Sequence, residues 1–575
     1  MKLVQPGVTS RGGGVLRRHA GWTVLAIALI ALVGVPLAAV QWRALQDGGS
    51  GYGRMWRATS FSDTLLTTLY LGVGSVAIAM TMGTLLAWSA QHLEGRLRWL
   101  SVAPMVPIMM PALAIVTGWS FLLSPRIGYA NRVLRHLPWW SHLETGPIDI
   151  YSQTWIIIIT GTLLISFVYL FVLTALRGID AGLIEAAQVG GASSWRTFRQ
   201  VQLPLLRPAL VHSSALVLLL GLGQFTAPLL LGRNNNVNVL TTEMYRATQS
   251  YPIDYALGAA FGSPLIIVGV ILIWLQRRSL ADSTRFQSIG TKGHRTGNRQ
   301  ARWPIAIVAL YLIIMIVLPI AALANVALQN FYTGKIVSPS DATLQNVRTV
   351  LGSGDTQSAL RNTIVYSLVA TLILLPFSYL IATGLTIGRR VSRPVRWLLD
   401  VFTSVPLVMP GVLFGAGILF AYTTGPIQLY GTAAALVLAY VTLMIPHATR
   451  LISSGLTSAG SALADAGRVH GGSAFRVHTR IVMPLVRPSL AGAAAITLAI
   501  VTHEFGASVM VRSVRTEVMG TLLLRYWSQG SYPAVAVNAL LMCVLTTVMV
   551  SLALAFGTRH RLRKCQPAPT TGTAS

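Results

Sequence analysis

Long apolar runs dominate the chain and constrain its fold more than any other feature. A bilayer-spanning helix needs about 20 mostly apolar residues. Of the 575 residues, 53% are hydrophobic and only 10% are charged, whereas soluble domains carry roughly 25% charged residues. The sequence therefore predicts an all-α membrane protein and excludes a soluble enzyme or a disordered chain. We predict twelve spans, at residues 22–42, 64–88, 99–123, 154–176, 209–232, 256–275, 303–326, 362–384, 397–421, 428–448, 489–510 and 534–557.

The first apolar run has a second interpretation, which is a cleaved signal peptide. Arg17 and Arg18 precede it, and it ends in Pro36-Leu-Ala-Ala. The run is longer than the roughly 7–15-residue apolar core of a signal peptide. A matching run at 303–326 also opens the second half of the chain. A membrane helix is therefore the favoured interpretation.

The distribution of charge predicts the topology. The net charge is +28, from 44 Lys+Arg against 16 Asp+Glu. With the N-terminus inside, the inside segments hold 30 of these basic residues and the outside segments hold 14. This bias follows the positive-inside rule and predicts cytoplasmic termini. The basic residues form short groups between apolar runs, so we expect a lipid membrane and no nucleic acid as partner.

An internal repeat divides the chain into two similar halves. Residues 185–210 (EAAQVGGASSWRTFRQVQLPLLRPAL) and 465–490 (DAGRVHGGSAFRVHTRIVMPLVRPSL) align without a gap at an offset of 280 and share ten identities. Gln224-Phe225 pairs with Glu504-Phe505 at the same offset. We therefore predict a tandem duplication of six spans plus six. Both copies enter the membrane in the same direction, and the pathway lies at their interface.

A proline pattern extends the repeat upstream of this stretch. Pro107 and Pro111 match Pro406 and Pro410, and a glycine (Gly118 or Gly417) follows each pattern at the same distance. We divide the chain into a cytoplasmic N-terminal segment 1–21, a first repeat 22–278 with loop 177–208, a cytoplasmic linker 279–302, a second repeat 303–557 with loop 449–488, and a disordered cytoplasmic tail 558–575.

The best-matched stretch lies in a predicted cytoplasmic loop of each repeat, although loops usually vary most. The small residues after Glu185 would let another backbone approach closely, and Gly191 permits a sharp turn. Pro204 and Pro208 favour a new helix start. The pattern predicts a rigid helical unit that transmits movement between a soluble partner and the membrane. A basic loop that only orients the chain is the alternative, but it would not need this Gly and Pro spacing.

The motif Glu185-Ala-Ala-x-x-x-Gly191-Ala, followed by Leu203-Pro204-x-x-x-Pro208, resembles the EAA loop of binding-protein-dependent ABC importer permeases. In that family the loop docks onto the ATPase subunit. The second copy has Asp465 in place of Glu and Gly467 in place of the second Ala, which leaves open whether both loops bind equally. The resemblance assigns ATPase coupling to Glu185, Ala186, Ala187, Gly191, Arg196, Pro204, Asp465, Ala466, Gly467, Gly471, Arg476 and Pro484.

The resemblance also implies partners and a location. We expect two copies of a P-loop ATPase on the cytoplasmic side, an extracytoplasmic solute-binding protein, and a bacterial inner membrane. ATP-Mg would bind to the ATPase, and this chain would bind no cofactor. No G-x-x-x-x-G-K-[ST] loop occurs in the sequence, so a transport subunit and not an enzyme is expected. We expect no catalytic cluster and no metal site. The outer docking surface would comprise 124–153, 233–255 and 511–533.

Five residues are candidates for the pathway or its gate: Glu504, His503, Gln224, Pro111 and Pro410. An acid inside a membrane span is rare and usually functional. Glu504 could be a gate or a solute contact, or a buried polar group tied to neighbouring helices. The prolines could break helices that line the pathway, or serve packing alone. Both questions stay open from sequence.

The fused repeats and the sequence Ser124-Pro-Arg-Ile-Gly-Tyr-Ala-Asn131 resemble the ferric-iron branch of the importer family. The resemblance implies ferric iron as the solute, with thiamine, phosphonate and polyamine as alternatives. A secondary transporter with twelve spans would also fit two parallel repeats. It should show several acids buried in the membrane, and this chain offers little beyond Glu504.

Overall fold

The computed structural model describes residues 12–58, 60–93, 95–281, 302–386, 391–407, 409–423, 427–460 and 462–562. Within these ranges every regular element is a helix, which confirms the predicted all-α class. Most of the predicted linker 279–302 and most of the predicted tail 558–575 lie outside the described residues. The predicted repeat boundaries remain predictions.

The first repeat contains helices α1 to α12. Helix α1 is interrupted at residues 46–49, where the backbone is not helical. Short 3₁₀ or π stretches occupy Gly95–Met109, Phe198–Gln202 and Gly232–Asn235. The helices are α1 Gly12–Arg57, α2 Phe61–Ala90, α3 Ala112–Leu123, α4 Tyr129–Leu134, α5 Gln153–Arg177, α6 Ala181–Val189, α7 Ser194–Thr197, α8 Leu203–Leu205, α9 Arg207–Leu222, α10 Thr226–Leu231, α11 Leu240–Gln249 and α12 Tyr255–Ala281.

The second repeat contains helices α13 to α26. Its 3₁₀ and π stretches are Ile313–Val317, Val405–Leu407, His478–Val482 and Val514–Thr516. The helices are α13 Trp303–Leu312, α14 Leu318–Ala327, α15 Gln345–Gly352, α16 Gly354–Thr386, α17 Arg393–Ser404, α18 Gly411–Thr423, α19 Ala433–Ala459, α20 Ala462–Val469, α21 Ala474–Val477, α22 Met483–Leu485, α23 Arg487–Thr502, α24 Gly506–Val511, α25 Met519–Ser528 and α26 Tyr532–Leu562.

The spans agree with the predicted twelve when bent helices are counted as single spans. In the described part of the chain, nine helices are long and apolar enough to cross a membrane, and three bent pairs bring the number to twelve. The third span bends by 91° before Ala112, and the ninth bends by 111° before Gly411. Pro111 and Pro410 stand at these bends, so the predicted proline breaks are confirmed.

The fifth and eleventh predicted spans each contain a break in the helix, which the prediction did not include. Helix α9 ends at Leu222 and α10 begins at Thr226; α23 ends at Thr502 and α24 begins at Gly506. The breaks fall at equivalent residues, 223–225 and 503–505. The sequence is Gly223-Gln224-Phe225 at the first break and His503-Glu504-Phe505 at the second, so each break holds a polar residue followed by phenylalanine.

The two repeats interlock through their first helices. Helix α14 packs on α3 of the first repeat, and α1 packs on α18 of the second. A Cβ added at Gly118 would lie 2.8 Å from Cβ of Pro319, and one added at Gly417 would lie 3.0 Å from Cβ of Pro36. Such contacts are closer than a methyl group tolerates. In each repeat, a glycine of the third span thus packs against a proline of the other repeat.

Candidate functional site

The duplicated motif forms two matching helical units, which we name the first elbow (residues 181–205) and the second elbow (residues 462–485). Asp180 caps α6 by accepting a hydrogen bond from the Gly182 amide at 3.0 Å. The chain then turns at Gly191, with φ +79°, and at Gly471 in the second elbow, with φ +77°. Side chains with a Cβ rarely adopt this conformation. The turn predicted from the conserved spacing of the two copies is confirmed.

A serine caps the next short helix in each elbow. The Ser193 hydroxyl accepts from the Arg196 amide at 3.3 Å, and Ser473 accepts from the Arg476 amide at the same distance. A serine side chain is well suited to this position because it satisfies an amide that has no helical partner. The arginine side chains themselves are exposed.

Each elbow joins its membrane helix through a π-helical stretch. The Leu203 amide donates to the Phe198 carbonyl, five residues back, immediately before Pro204. The second elbow repeats this at Met483, before Pro484. A proline cannot donate to a helix, and the wider turn accommodates that loss. Pro208 and Pro488 then occupy the first turn of α9 and α23, as predicted.

The structure places the predicted coupling residues on the surface of the elbows. Those that are exposed are Glu185, Ala186, Gly191, Arg196, Pro204, Ala466, Gly471 and Arg476. Those that are half-buried are Ala187, Asp465, Gly467 and Pro484. Asp465 forms an ion pair with Arg468 at 3.2 Å. An exposed ion pair of this kind contributes little to stability, roughly 0–1 kcal/mol.

Sequence reasoning missed the apolar part of this surface. Val189 is 91% exposed and its equivalent Val469 is 84% exposed. Trp195 is 51% exposed and its equivalent Phe475 is 80% exposed. Leu183 and Leu463 are likewise exposed. The 280-residue offset could have shown the pairing of these residues, but only the fold shows that they face outward. Exposed apolar groups that recur at equivalent positions indicate an interaction surface.

The two elbows are attached to their second spans by different contacts. In the first elbow, the Phe198 ring lies 5.2 Å from the Trp88 ring of α2, which Trp303 of the second repeat also contacts at 5.1 Å. In the second elbow, the Tyr379 hydroxyl of α16 forms a hydrogen bond of 2.9 Å with Nδ1 of His478. Each elbow is therefore linked to two membrane helices.

Three of the predicted pathway residues, Gln224, His503 and Glu504, lie at the paired breaks of the fifth and eleventh spans. The Glu504 carboxylate accepts from the amides of Ala507 at 2.8 Å and Ser508 at 3.0 Å, and from the Ser508 hydroxyl at 2.9 Å. Its interactions cap α24, as a polar group tied to neighbouring backbone would. Tyr440 hydrogen-bonds to the same hydroxyl at 2.8 Å.

The equivalent residue Gln224 turns away from its own helix. Its Oε1 accepts from the Thr160 hydroxyl at 2.6 Å, and its carbonyl accepts from Thr241 at 2.6 Å. The position equivalent to Ser508 is Pro228, which has no amide hydrogen to be capped. The first break therefore lacks the second amide hydrogen that a carboxylate at position 224 would cap.

A cavity of about 250 Å³ lies between the repeats at these breaks. Equivalent residues of the two repeats line it, among them Ala112 with Gly411, Gly223 with His503, and Phe225 with Phe505. The two phenylalanine rings stack with centroids 5.5 Å apart. Of the five predicted pathway residues, Glu504 and His503 line the cavity. Pro410 packs against Gly223, where an added Cβ would lie 2.7 Å from its Cγ, and Pro111 immediately precedes Ala112.

The model of one protein family matches residues 79–281 and 375–562 of the chain. This family is described as a "binding-protein-dependent transport system inner membrane component". These two regions together cover more than half of the chain. The chain belongs to this family. It is a multi-span inner-membrane component of a binding-protein-dependent transport system, with the family domain present twice. Family membership also favours the importer over the secondary transporter.

The names of individual relatives mention different solutes. The ferric transport system permease FbpB of Actinobacillus pleuropneumoniae is 26% identical over 385 residues, which cover 65% of this permease and 54% of the relative. The permease therefore spans about half the length of that relative. The ABC transporter permease y4fN of Sinorhizobium fredii is 24% identical over 554 residues, covering 93% and 94%. The spermidine/putrescine permease PotB of Salmonella typhimurium is 26% identical over 224 residues, covering 38% and 75%.

Proposed function

We propose that the two elbows are the docking sites for two copies of a P-loop ATPase on the cytoplasmic side of the membrane. The paired exposure of Val189 and Val469 supports this most directly, since an isolated chain leaves these side chains in water. The exposed arginines Arg196 and Arg476 border the same surface. An apolar centre with a charged rim is the usual anatomy of a protein interface. Both termini of the permease are cytoplasmic in this proposal.

The proposed mechanism is alternating access between the two repeats. ATP-Mg binds to the ATPase subunits, and the permease itself binds no cofactor and catalyses no reaction. Closure of the ATPases moves the elbows, and each elbow moves the membrane helices attached to it. The π-helical joint at Phe198–Gln202 and the Trp88 contact supply that attachment in the first repeat. The repeats then separate on the outer side, and solute enters between them.

An extracytoplasmic solute-binding protein docks, in this proposal, on the segments 124–153, 233–255 and 511–533. Each segment carries an apolar side chain that is strongly exposed: Trp139, Tyr251 and Val514. These segments connect the ends of spans that lie away from the elbows. Their spread over both repeats suits a partner that must contact both halves at once.

Ferric iron is the proposed solute. The similarity to a ferric permease at 26% identity supports it. The spermidine/putrescine relative has the same identity over a shorter stretch, so a polyamine is the second candidate. Thiamine and phosphonate remain the further alternatives.

Co-purification tests the docking proposal. The tagged permease is extracted from native membranes in mild detergent, and bound proteins are identified by mass spectrometry. We expect a P-loop ATPase with the unsubstituted chain and its loss with V189D/V469D, because a buried unpaired carboxylate opposes docking. V514D is the matched control, since Val514 is 99% exposed and lies away from the elbows. An ATPase that remains bound to V189D/V469D, or is absent from the unsubstituted chain, would overturn the proposal.

A further inference from the structure

The cavity between the repeats is symmetric in shape but not in charge. Apart from the pair of Gly223 and His503, the equivalent positions that line it carry uncharged side chains in both repeats, as in Phe225 and Phe505 or Thr226 and Gly506. The ionisable side chains that line it, among the described residues, are Glu504 and His503. Both belong to the second repeat. No described lysine or arginine lines the cavity to balance the carboxylate.

The hydrogen bonds of Glu504 suit a carboxylate that carries its charge. Two backbone amides and one hydroxyl donate to it, at 2.8, 3.0 and 2.9 Å. A charged carboxylate only accepts hydrogen bonds, and donors around it favour that form. These bonds also fix the carboxylate at the cavity wall. Its Oε1 lies close to Gly411, at 2.8 Å from the position of an added Cβ.

His503 adds an unused polar atom to the same wall. Its Nδ1 is buried and has no hydrogen-bond partner within the described residues. Buried polar atoms in native proteins are usually paired. His503 is adjacent to Glu504 in the sequence, and no lysine or arginine among the described residues lines the cavity beside them.

We propose that the Glu504–His503 wall is a contact site for cationic solute. The inference rests on the proposed function only in that solute passes between the two repeats. The carboxylate attracts a cation in a low-dielectric cavity much more strongly than it would in water. The site therefore favours ferric iron, a polyamine or thiamine over a phosphonate. Only one repeat carries this charge, so the cation contacts one side of the interface.

A cysteine probe in the cavity measures this selectivity without transport. T226C places a thiol on the lining of the first repeat, in a chain with C543S and C565S, where Cys565 lies outside the described residues. The permease is held in nanodiscs and treated with a cationic or an anionic methanethiosulfonate reagent. We expect E504Q to lower the ratio of cationic to anionic reaction rates by about tenfold, from the loss of one nearby charge at intermediate dielectric.

The control variant S508A removes one hydrogen bond from the carboxylate but keeps its charge, and should leave the ratio within about twofold, since one hydrogen bond affects position more than charge. An unchanged ratio in E504Q would overturn the proposal. So would a thiol that neither reagent reaches, because the cavity would then not admit solute. Gel filtration of each variant checks that it is folded.

An uptake assay on the unsubstituted permease tests the proposal without depending on the folding of a variant. Cells that hold the complete importer are given radiolabelled ferric iron, putrescine, thiamine or methylphosphonate. Uptake of one of the three cations supports the proposal and identifies the source of the charge, whereas uptake of methylphosphonate alone overturns it. Failure of this inference differs from failure of the docking proposal. If only the cation-site inference fails, an ATPase still co-purifies with the permease. If only the docking proposal fails, the ratio of reagent rates still responds to E504Q.

Discussion

In the first repeat a cluster of aromatic rings and a pair of glutamines hold the elbow against the second span, whereas in the second repeat a tyrosine–histidine hydrogen bond does so. Trp88 contacts Phe198 and Trp195 of the first elbow at 5.2 and 5.5 Å. The equivalent of Phe198 is His478, which bonds to Tyr379 at 2.9 Å. The first elbow also exchanges side-chain hydrogen bonds of 3.3 and 3.4 Å between Gln202 and Gln91 at the end of α2. One duplicated unit is thus attached by an aromatic cluster and a glutamine pair in one copy, and by a tyrosine–histidine pair in the other. Duplication preserved the position of the attachment and not its chemistry.

Removing the central ring should therefore loosen the first elbow more than removing the tyrosine hydroxyl loosens the second. Removing a large aromatic side chain from a packed cluster costs roughly 3 kcal/mol, and loss of one hydrogen bond costs about 1 kcal/mol. We expect W88A to speed hydrogen exchange strongly in residues 181–205, and Y379F to speed it modestly in residues 462–485. Mass spectrometry of peptides from each elbow measures both.

W139A is the matched control, because Trp139 is exposed and lies away from the elbows. It should leave exchange in both elbows unchanged. The comparison fails if W88A loosens both elbows equally, since the attachment would then be shared and not local to each repeat.

Sequence was sufficient for features that depend on neighbouring residues. Twelve apolar runs predicted twelve spans, and the Gly191 spacing predicted a turn that the backbone adopts at φ +79°. Pro111 and Pro410 predicted the bends in the third and ninth spans. Each of these signals is local, because a helix length, a positive φ or a missing amide hydrogen acts where the residue stands.

Sequence was insufficient for features that depend on contacts between repeats. Nothing near Gly118 indicates that Pro319 of the other repeat packs against it. The exposure of Val189 likewise depends on what the rest of the chain leaves uncovered. For Glu504 the sequence offered two roles. The structure shows that the carboxylate caps α24 and lines the cavity, and the role as a gate or solute contact stays a prediction.

The interlock between the repeats predicts equal effects in the two halves. G118A and G417A each place a methyl group against a proline of the other repeat, at 2.8 and 3.0 Å from its Cβ. Overpacking of this kind costs typically about 1–3 kcal/mol. We expect both variants to lower the thermal unfolding temperature in detergent, and by similar amounts.

G492A is the control for a glycine-to-alanine change in a membrane helix. Gly492 lies in α23 with no atom within 4 Å of an added Cβ. This change should be neutral or slightly stabilising, because alanine favours helix. A large difference between G118A and G417A would show that the two halves do not interlock symmetrically.

The smallest predicted effect concerns the two helix breaks, where Glu504 with Ser508 stands opposite Gln224 with Pro228. Q224E alone introduces a carboxylate without the second amide that its counterpart caps, and P228S alone introduces an amide without an acceptor. The double variant Q224E/P228S supplies both partners. We expect it to be more stable than the sum of the single effects by about 1 kcal/mol, as for residues in one hydrogen-bond network. Thermal unfolding of the four chains measures this coupling.

Q224E combined with W139A should be additive, since the two sites are far apart. An additive Q224E/P228S pair would contradict this prediction, because it would show that a carboxylate at position 224 gains nothing from an amide at position 228.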